Sequence, residues 1–402
     1  MNFKKLKILL LFILFLFPLN FVSADEIEDI SSKNVILYNL NDDSVLYEKD
    51  SNDVTLIASM TKIMTSIVAL ENIKDLDETV VLNDSIFNSL SSDLSMAGFK
   101  RNEKVTYRDL IYGALLPSGA DATHSLAIFI SGSEESYVKL MNEKAKELGL
   151  ENTHFTNTIG IETSDNMHYS TVKDIAILLK YCLKNDSFKE IFMTDKYVTS
   201  DGLITLKSTK SKIANKYNMD LSFIKGSKTG YTKKAGLCLA SISSYNDVNY
   251  LLVTAGASTE NDNKINHFLD AKRIYTYYFD NYSYKKILKK GKVIKKIKTK
   301  YDEEIVLKAS ENVIKYLKND VKENDLKYVY EGKTVLDKNI KKGDKIGKYV
   351  IKYKDKKLYE EDVLSPKTVK FKLKYKYKII ILIIITTIIF IKLFTKFLKK
   401  IK

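Results

Sequence analysis

The sequence predicts an α/β fold in which the two ends of a large domain share one antiparallel sheet, followed by a small β-rich domain and a C-terminal transmembrane helix. Two hairpins carry the sheet. The first runs over 34–50, as VILYNL, an Asn-Asp-Asp turn and SVLYEK. The second runs over 235–257, as AGLCLASISSY, Asn246-Asp247 and VNYLLVTAGA. An apolar run at 379–391 predicts the final helix.

The remaining elements are predicted from the spacing of apolar residues and from short alternating segments. Ser59 opens an apolar helical run, and residues from about 75 to 190 are mostly helical and loop. Apolar residues at helical spacing predict a closing helix over 263–279. Short alternating segments in 283–366 predict small strands. We therefore expect a large first domain over 25–282, with a helical insertion inside its sheet, and a β-rich domain over 283–366.

The N-terminal segment 1–24 has the pattern of a secretory signal. Lys4, Lys5 and Lys7 precede an apolar run that ends at Val22-Ser23-Ala24, a small-residue cleavage site. An uncleaved N-terminal anchor is the alternative interpretation. Export would place the protein outside the cytoplasm and would exclude nucleic acid as a partner.

The C-terminal tail predicts a membrane anchor. A basic juxtamembrane segment over 367–378 precedes the anchor at 379–398, whose length of roughly 30 Å as a helix is enough to cross a membrane. Lys392 and Lys396 lie near its end, where lysines can extend to the interface. Because the run is apolar all round, spanning is favoured over an interfacial helix. The following lysines would remain in the cytoplasm, so the protein would face outward on a single C-terminal anchor.

Charge is unevenly distributed along the 402 residues, which carry a formal net charge of +15. Acidic residues outnumber basic ones over 25–282, and lysines dominate 283–402. An anionic membrane or wall surface is the natural target of such a basic region. Lysine-rich codon usage is the competing explanation.

Cysteine and histidine indicate neither a disulfide framework nor a metal site. Cys182 lies in a helical pattern and Cys238 in an apolar strand, so we expect buried free thiols. The four histidines have no metal-ligand spacing, and we expect no metal or other cofactor. His168 precedes a helix-capping stretch, which favours a structural hydrogen bond over catalysis.

Three short motifs point to nucleophilic catalysis without histidine. They are Ser59-Met60-Thr61-Lys62, then Ser118-Gly119-Ala120, then Lys228-Thr229-Gly230. A serine and a lysine three residues apart share one face of a helix. A lysine amine kept neutral by burial or a nearby cation can take the serine proton. SxxK alone is weak evidence, and the order and spacing of all three motifs carry the hypothesis.

These motifs, together with the stretches LIASMTKIMT, LLPSGADAT, HYSTVKDIAIL and GSKTGYTKKAGLCLAS, resemble the D-alanyl-D-alanine carboxypeptidase family of low-molecular-mass penicillin-binding proteins. The resemblance runs from about Asp25 to Pro366. It implies the penicillin-binding-protein/β-lactamase-like transpeptidase fold, in which an antiparallel sheet backed by helices adjoins an all-α subdomain. The active site lies at their junction. In the family, the β-rich domain is regarded as a spacer from the membrane.

The resemblance also implies a role for each motif residue. Ser59 would be the acyl-ester nucleophile, Lys62 the general base and Ser118 a proton relay steered by Lys228. Substrate would bind the strand that carries the third motif, through Lys228, Thr229, Gly230 and Tyr231.

One departure affects the second motif. Its third residue is usually asparagine, which hydrogen-bonds the substrate amide and the catalytic lysine, and here it is Ala120. Backbone and water would have to supply those bonds, or activity is reduced. Where the family often has a carboxylate-binding arginine, residues 261–267 offer only Lys264, a weaker monodentate substitute.

The implied function is removal of the terminal D-alanine from peptidoglycan stem peptides, with β-lactams as inhibitors. A DD-endopeptidase and a catalytically weak penicillin- and wall-binding protein remain alternatives. A β-lactamase shares the motifs, but the C-terminal domain, the anchor and the missing Glu-x-x-Leu-Asn motif before Lys228 argue against it.

Overall fold

The structure is a computed structural model that describes residues 27–88, 90–162, 167–259, 264–301, 303–337, 340–370 and 373–401. The chain divides into two compact units, with the boundary between Phe279 and Asp280. The predicted signal over 1–24 lies outside the described residues.

The first unit combines strands and helices. Its strands are β1 (Asn34–Asn39), β2 (Ser44–Lys49), β3 (Thr79–Val81), β4 (Lys104–Thr106), β5 (Lys196–Val198), β6 (Thr205–Lys207), β7 (Ile224–Thr232), β8 (Gly236–Tyr245) and β9 (Val248–Ala257). Its helices are α1 (Lys62–Asn72), α2 (Asp84–Asn88), α3 (Tyr107–Leu115), α4 (Ala120–Ser131), α5 (Glu134–Glu147), α6 (Val172–Cys182), α7 (Asp186–Met193), α8 (Thr209–Tyr217) and α9 (Asn266–Asn281). A 3₁₀ turn, Ala58–Thr61, leads into α1.

The main sheet joins the two ends of this unit, as the sequence predicts. Its strand order is β2-β1-β9-β8-β7, and every neighbouring pair is antiparallel. All six residues of β1 are buried because that strand lies inside the sheet. The β8–β9 hairpin turns at Asn246 and Asp247, which both have left-handed backbone conformations (φ 47° and 62°) that suit a tight hairpin. β7 is an edge strand, and it carries the third motif.

The helical part surrounds α1. Residues 62–69 of α1 are buried, and α1 contacts α3, α4, α5 and α6. A capping box formed by Thr106 and Asp109 starts α3. The chain then breaks between Leu115 and Ala120, where the second motif lies. This arrangement confirms the predicted helical insertion, to which the structure adds the short β3–β4 and β5–β6 ribbons.

The second unit is β-rich, as predicted. Its strands are β10 (Tyr282–Leu288), β11 (Val293–Thr299), β12 (Glu304–Lys308), β13 (Val313–Lys318), β14 (Leu326–Gly332), β15 (Val335–Leu336), β16 (Lys345–Tyr353) and β17 (Lys356–Leu364). They form three small sheets, ordered β10-β13, β12-β11-β15 and β14-β16-β17. Buried apolar side chains such as Ile297, Leu336 and Ile351 form its own core.

The last helix, α10, covers Leu373–Ile401. Within it, the 23 residues Lys376–Leu398 are long and apolar enough to cross a membrane, judged by length and composition. This segment includes the predicted anchor and is a candidate membrane span. Elsewhere, both cysteines are buried and free, as expected.

Candidate active site

Ser59 lies in the 3₁₀ turn, one turn before Lys62 at the start of α1. Side chains three residues apart are nearly eclipsed in a 3₁₀ helix, so Lys62 lies directly over Ser59. Lys62 Nζ donates a hydrogen bond to Ser59 Oγ at 3.1 Å. Ala58 enters the turn in the left-handed region (φ 45°), an unfavourable conformation for alanine that the surrounding packing has to maintain. The predicted pairing of serine and lysine is therefore present, in a 3₁₀ turn rather than an α-helix.

The Lys62 ammonium group is almost completely excluded from solvent. Its side chain is 2% exposed, and Nζ also donates to the Ile159 carbonyl at 3.0 Å. Burial lowers the pKa of Lys62 to about 7, and the nearby Asp121 carboxylate partly opposes that shift. A substantial fraction of this amine is therefore neutral near pH 7, which a general base requires.

A second serine–lysine pair lies in the same site. Ser118 occupies the break between α3 and α4, with φ at 67°. Lys228 Nζ donates to Ser118 Oγ at 2.9 Å and to the Thr229 carbonyl at 2.9 Å. Burial, with a smaller contribution from Lys62, holds the pKa of Lys228 well below its usual range. The site thus contains two lysine–serine hydrogen bonds, Lys62 to Ser59 and Lys228 to Ser118. The two lysines are close enough for the charge of Lys62 to lower the pKa of Lys228.

The edge strand β7 packs directly against the 3₁₀ turn that carries Ser59. A Cβ built on Gly230 would lie 2.9 Å from the Ser59 nitrogen and 2.9 Å from the Ala58 Cβ. Only glycine allows this approach without displacement. Thr229 is buried and Tyr231 is 45% exposed on the same strand. Within the described sheet, β8 is the one strand hydrogen-bonded to β7, so the other edge of β7 has no strand partner.

Several contributors to the site carry no motif signature in the sequence. The Asp121 carboxylate accepts the backbone N–H groups of Ala97, Gly98 and Phe99 at 2.8, 3.0 and 3.1 Å, which fixes a loop at the start of α4. Across the site, the segment 157–161 presents the Ile159 carbonyl to Lys62. A carbonyl group is common to all residues, so its position has no sequence signal.

His168 has the structural role expected of it. Its Nε2 lies 2.8 Å from Thr61 Oγ1, and its Nδ1 accepts the Thr156 N–H at 3.1 Å. Burial is the main cause that lowers its pKa to about 4, so the ring is neutral at pH 7. Because Thr61 Oγ1 also donates to the Ala58 carbonyl at 2.9 Å, the histidine supports the 3₁₀ turn that carries Ser59. Lys264, the proposed arginine substitute, is exposed just before α9.

Comparison with known proteins identifies the class to which this fold and site belong. Residues 20–259 match the D-alanyl-D-alanine carboxypeptidase family of serine peptidases, and residues 282–371 match the family described as penicillin-binding protein 5, C-terminal domain. The chain belongs to the D-alanyl-D-alanine carboxypeptidase family. The resemblance found in the sequence is thereby confirmed, and the β-rich unit has a counterpart in the family.

Individual relatives agree with this assignment. The chain is 32% identical to D-alanyl-D-alanine carboxypeptidase DacF of Bacillus subtilis over 350 residues, 84% of this chain and 86% of that protein. It is 29% identical to a D-alanyl-D-alanine endopeptidase of Escherichia coli over 254 residues, 62% of this chain and 77% of the other. Penicillin-binding protein 5 from Haemophilus influenzae has a similar fold, with a TM-score of 0.61 and 24% identity over 85% of this chain and 98% of its own.

Proposed function

We propose that this chain removes the terminal D-alanine from peptidoglycan stem peptides ending in D-Ala-D-Ala, through an acyl-enzyme on Ser59. One observation carries the proposal. Lys62 is buried, its Nζ lies 3.1 Å from Ser59 Oγ, and its pKa is lowered to about 7. A lysine in that state can accept the serine proton at neutral pH.

In the first step, Ser59 Oγ attacks the carbonyl carbon between the two D-alanines, and its proton passes to Lys62. The negative charge develops on the former carbonyl oxygen. The backbone N–H groups of Ser59 and Tyr231 are the proposed oxyanion donors, because β7 brings Gly230 against the Ser59 nitrogen. The tetrahedral intermediate then collapses with cleavage of the peptide C–N bond.

The departing nitrogen needs a proton. Ser118 would deliver its hydroxyl proton, because that hydroxyl is hydrogen-bonded to Lys228 Nζ at 2.9 Å. The proton that Lys62 took from Ser59 would pass to Ser118 in return, which leaves Lys62 neutral. D-Alanine leaves as a free amine, and Ser59 retains the shortened peptide as an ester. Water, deprotonated by Lys62, would hydrolyse that ester and regenerate the serine.

Substrate binding is assigned to β7. An extended peptide would pair with the exposed edge of this strand, as in other cases of strand addition. Thr229 would hydrogen-bond the terminal carboxylate, with Lys228 Nζ as a further hydrogen-bond donor, and Gly230 lets the strand backbone lie close to Ser59. A β-lactam, whose strained amide occupies the same position, would acylate Ser59 and act as an inhibitor.

We also propose that the protein works at the outer face of the cell membrane, held by α10. The support is the apolar segment Lys376–Leu398, which follows a lysine-rich second unit. An anionic membrane or wall surface would attract that unit. Cell fractionation of the full chain, compared with a chain ending at Pro366, tests this. The shortened protein should leave the membrane fraction, and its retention there would contradict anchoring by α10.

The activity is tested with the full chain in detergent, incubated with diacetyl-Lys-D-Ala-D-Ala and, separately, with a fluorescent penicillin. Release of D-alanine and labelling, both abolished by Ser59→Ala, support the carboxypeptidase. Labelling without release indicates the weak penicillin-binding alternative. Absence of labelling contradicts the Ser59 mechanism.

A DD-endopeptidase is the second candidate, because an endopeptidase is among the relatives. A crosslinked muropeptide dimer distinguishes the two. Cleavage of the dimer faster than release of D-alanine from the linear peptide would favour the endopeptidase.

A further inference from the structure

The proposed base, Lys62, has a second hydrogen-bond acceptor next to Ser59. The Ile159 carbonyl accepts from Lys62 Nζ at 3.0 Å, and Ser59 Oγ lies 3.4 Å from the same oxygen. This carbonyl therefore contacts both members of the proposed nucleophile–base pair. A neutral acceptor in this position orients the amine while adding no negative charge that would keep it protonated.

The carbonyl is held in place by one side chain. Asn157 Oδ1 accepts the N–H groups of Ile159, Gly160 and Ile161 at 3.3, 2.7 and 3.2 Å. Its Nδ2 donates to the Ile161 carbonyl at 2.9 Å. Asparagine forms such local bonds to its own following backbone, which fixes the turn without regular secondary structure.

The turn is also locked against the nucleophile helix. Gly160 has φ at +88°, and a Cβ there would lie 2.0 Å from the Ala58 carbonyl oxygen. Thr65 Oγ1, one turn beyond Lys62 on α1, donates to the Thr158 carbonyl at 2.7 Å. The packing of Gly160 and the Thr65 hydrogen bond therefore fix the position of this turn beside the 3₁₀ turn. Within the turn, Asn157 determines the direction of the Ile159 carbonyl.

The second motif cannot supply this acceptor. Ala120 has only a methyl group where the family resemblance implies an asparagine that bonds the catalytic lysine, and its carbonyl accepts a hydrogen bond from Thr123 Oγ1 at 3.1 Å. Resting on the proposed function, we infer that the Asn157-held Ile159 carbonyl takes over the orientation of Lys62 from the missing motif asparagine. Asn157 is thus a positioning residue of this chain.

The experiment measures the rate of acylation of the full chain by fluorescent penicillin from pH 5 to 9, with melting temperature in parallel. Asn157→Ala should lower the rate about 10- to 100-fold, because Lys62 loses its oriented acceptor. Asn157→Asp keeps the acceptor for the three N–H groups but adds a negative charge, so the acidic limb of its profile should move to higher pH. Adding Ala120→Asn to Asn157→Ala should restore most of the rate without restoring the melting temperature.

Asn142→Ala is the matched control. Asn142 clamps the backbone of Phe155 in the same way, with bonds of 2.9 and 2.8 Å, but it does not contact the catalytic lysine. It should lower the melting temperature and leave the pH profile unchanged. If the control moves the profile as far as Asn157→Asp does, or if Ala120→Asn restores nothing, the inference is wrong. Wild-type protein that is not acylated contradicts the proposed function itself.

Discussion

Lysine is used in opposite ways by the two units of this molecule. In the first unit Lys62, Lys210 and Lys228 are buried. In the second unit, every buried side chain among the described residues is uncharged, although lysines are abundant there. Those lysines lie at the surface, where some pair with acids, as Lys348 and Lys357 do with Glu360 at the edge of a sheet. Burial of a charge is costly, so a buried lysine needs either compensating partners or a lowered pKa.

The buried lysines also differ among themselves. Lys210 has a carboxylate partner, Asp195, at 3.0 Å, in addition to the Ile224 carbonyl. The bonds of Lys62 and Lys228 go to hydroxyl and carbonyl oxygens, which compensate a charge less well. The two proposed catalytic lysines thus differ from Lys210 in having no directly bonded carboxylate. Because they are buried without such a partner, the pKa values of Lys62 and Lys228 are lowered.

The largest expected effect is the loss of the base. Lys62→Met preserves the length and apolar stem of the side chain but removes the amine, so acylation by penicillin should fall by at least about 10³-fold. The control in the second unit, Lys348→Met, should acylate at the wild-type rate. If Lys62→Met were acylated at a rate within tenfold of wild type, the buried lysine of the first unit would be no more important for acylation than a surface lysine of the second.

The next largest effect is expected on stability, at Gly160, which packs against the 3₁₀ turn that carries Ser59. Gly160→Ala should cost about 3 kcal/mol or more of unfolding free energy, because it combines a left-handed backbone with a Cβ 2.0 Å from the Ala58 carbonyl oxygen. Gly149→Ala is the matched control, since Gly149 is also left-handed (φ +69°) but has nothing within 4 Å of the added Cβ. It should cost only about 1 kcal/mol. Equal losses in denaturant titrations would refute the packing argument.

Burial of the base should also be visible in stability. Because the folded pKa of Lys62 is about 7 and its ordinary value is 10.5, the unfolded state binds more protons between those pH values. Lys62 therefore destabilises the fold fully below pH 7, and the penalty fades as pH rises toward 10. Lys62→Met should raise the melting temperature more at pH 6 than at pH 9. Calorimetry that finds a pH-independent difference would contradict the lowered pKa.

The smallest effect is expected at the surface of the second unit. Lys348 and Lys357 hold the pKa of the exposed Glu360 carboxyl down to about 2. Solvent and salt screen such pairs, so Glu360→Gln should leave both the melting temperature and the acylation rate unchanged. A clear loss of stability in Glu360→Gln would show that surface ion pairs contribute to the stability of the second unit.

Sequence reasoning brought together the candidate site residues because nucleophilic chemistry needs particular side chains at fixed spacing. Ser59 with Lys62 and Lys228 with Ser118 form direct hydrogen bonds in the structure. The β1–β2 and β8–β9 hairpins were also predictable, because their alternation and turn residues are local.

What the sequence could not provide was the environment of those residues. Lys210 and Lys62 look alike in the sequence, and only tertiary packing separates a lysine near a carboxylate from one beside a carbonyl. The left-handed backbone of Ala58 likewise depends on distant segments. The turn over 157–161 had local signals in Asn157 and Gly160, but its contact with Lys62, 97 residues away in sequence, had none.

The pH dependence of acylation tests the central claim most directly. Rapid mixing of the full chain with a fluorescent penicillin, from pH 5 to 9, reports the protonation of the base before the ester forms. We expect the rate to rise with pH through an apparent pKa near 7, the value of Lys62, and to be nearly abolished in Lys62→Met. A rate that is flat across this range, or a rise that persists in Lys62→Met, would show that another group activates Ser59.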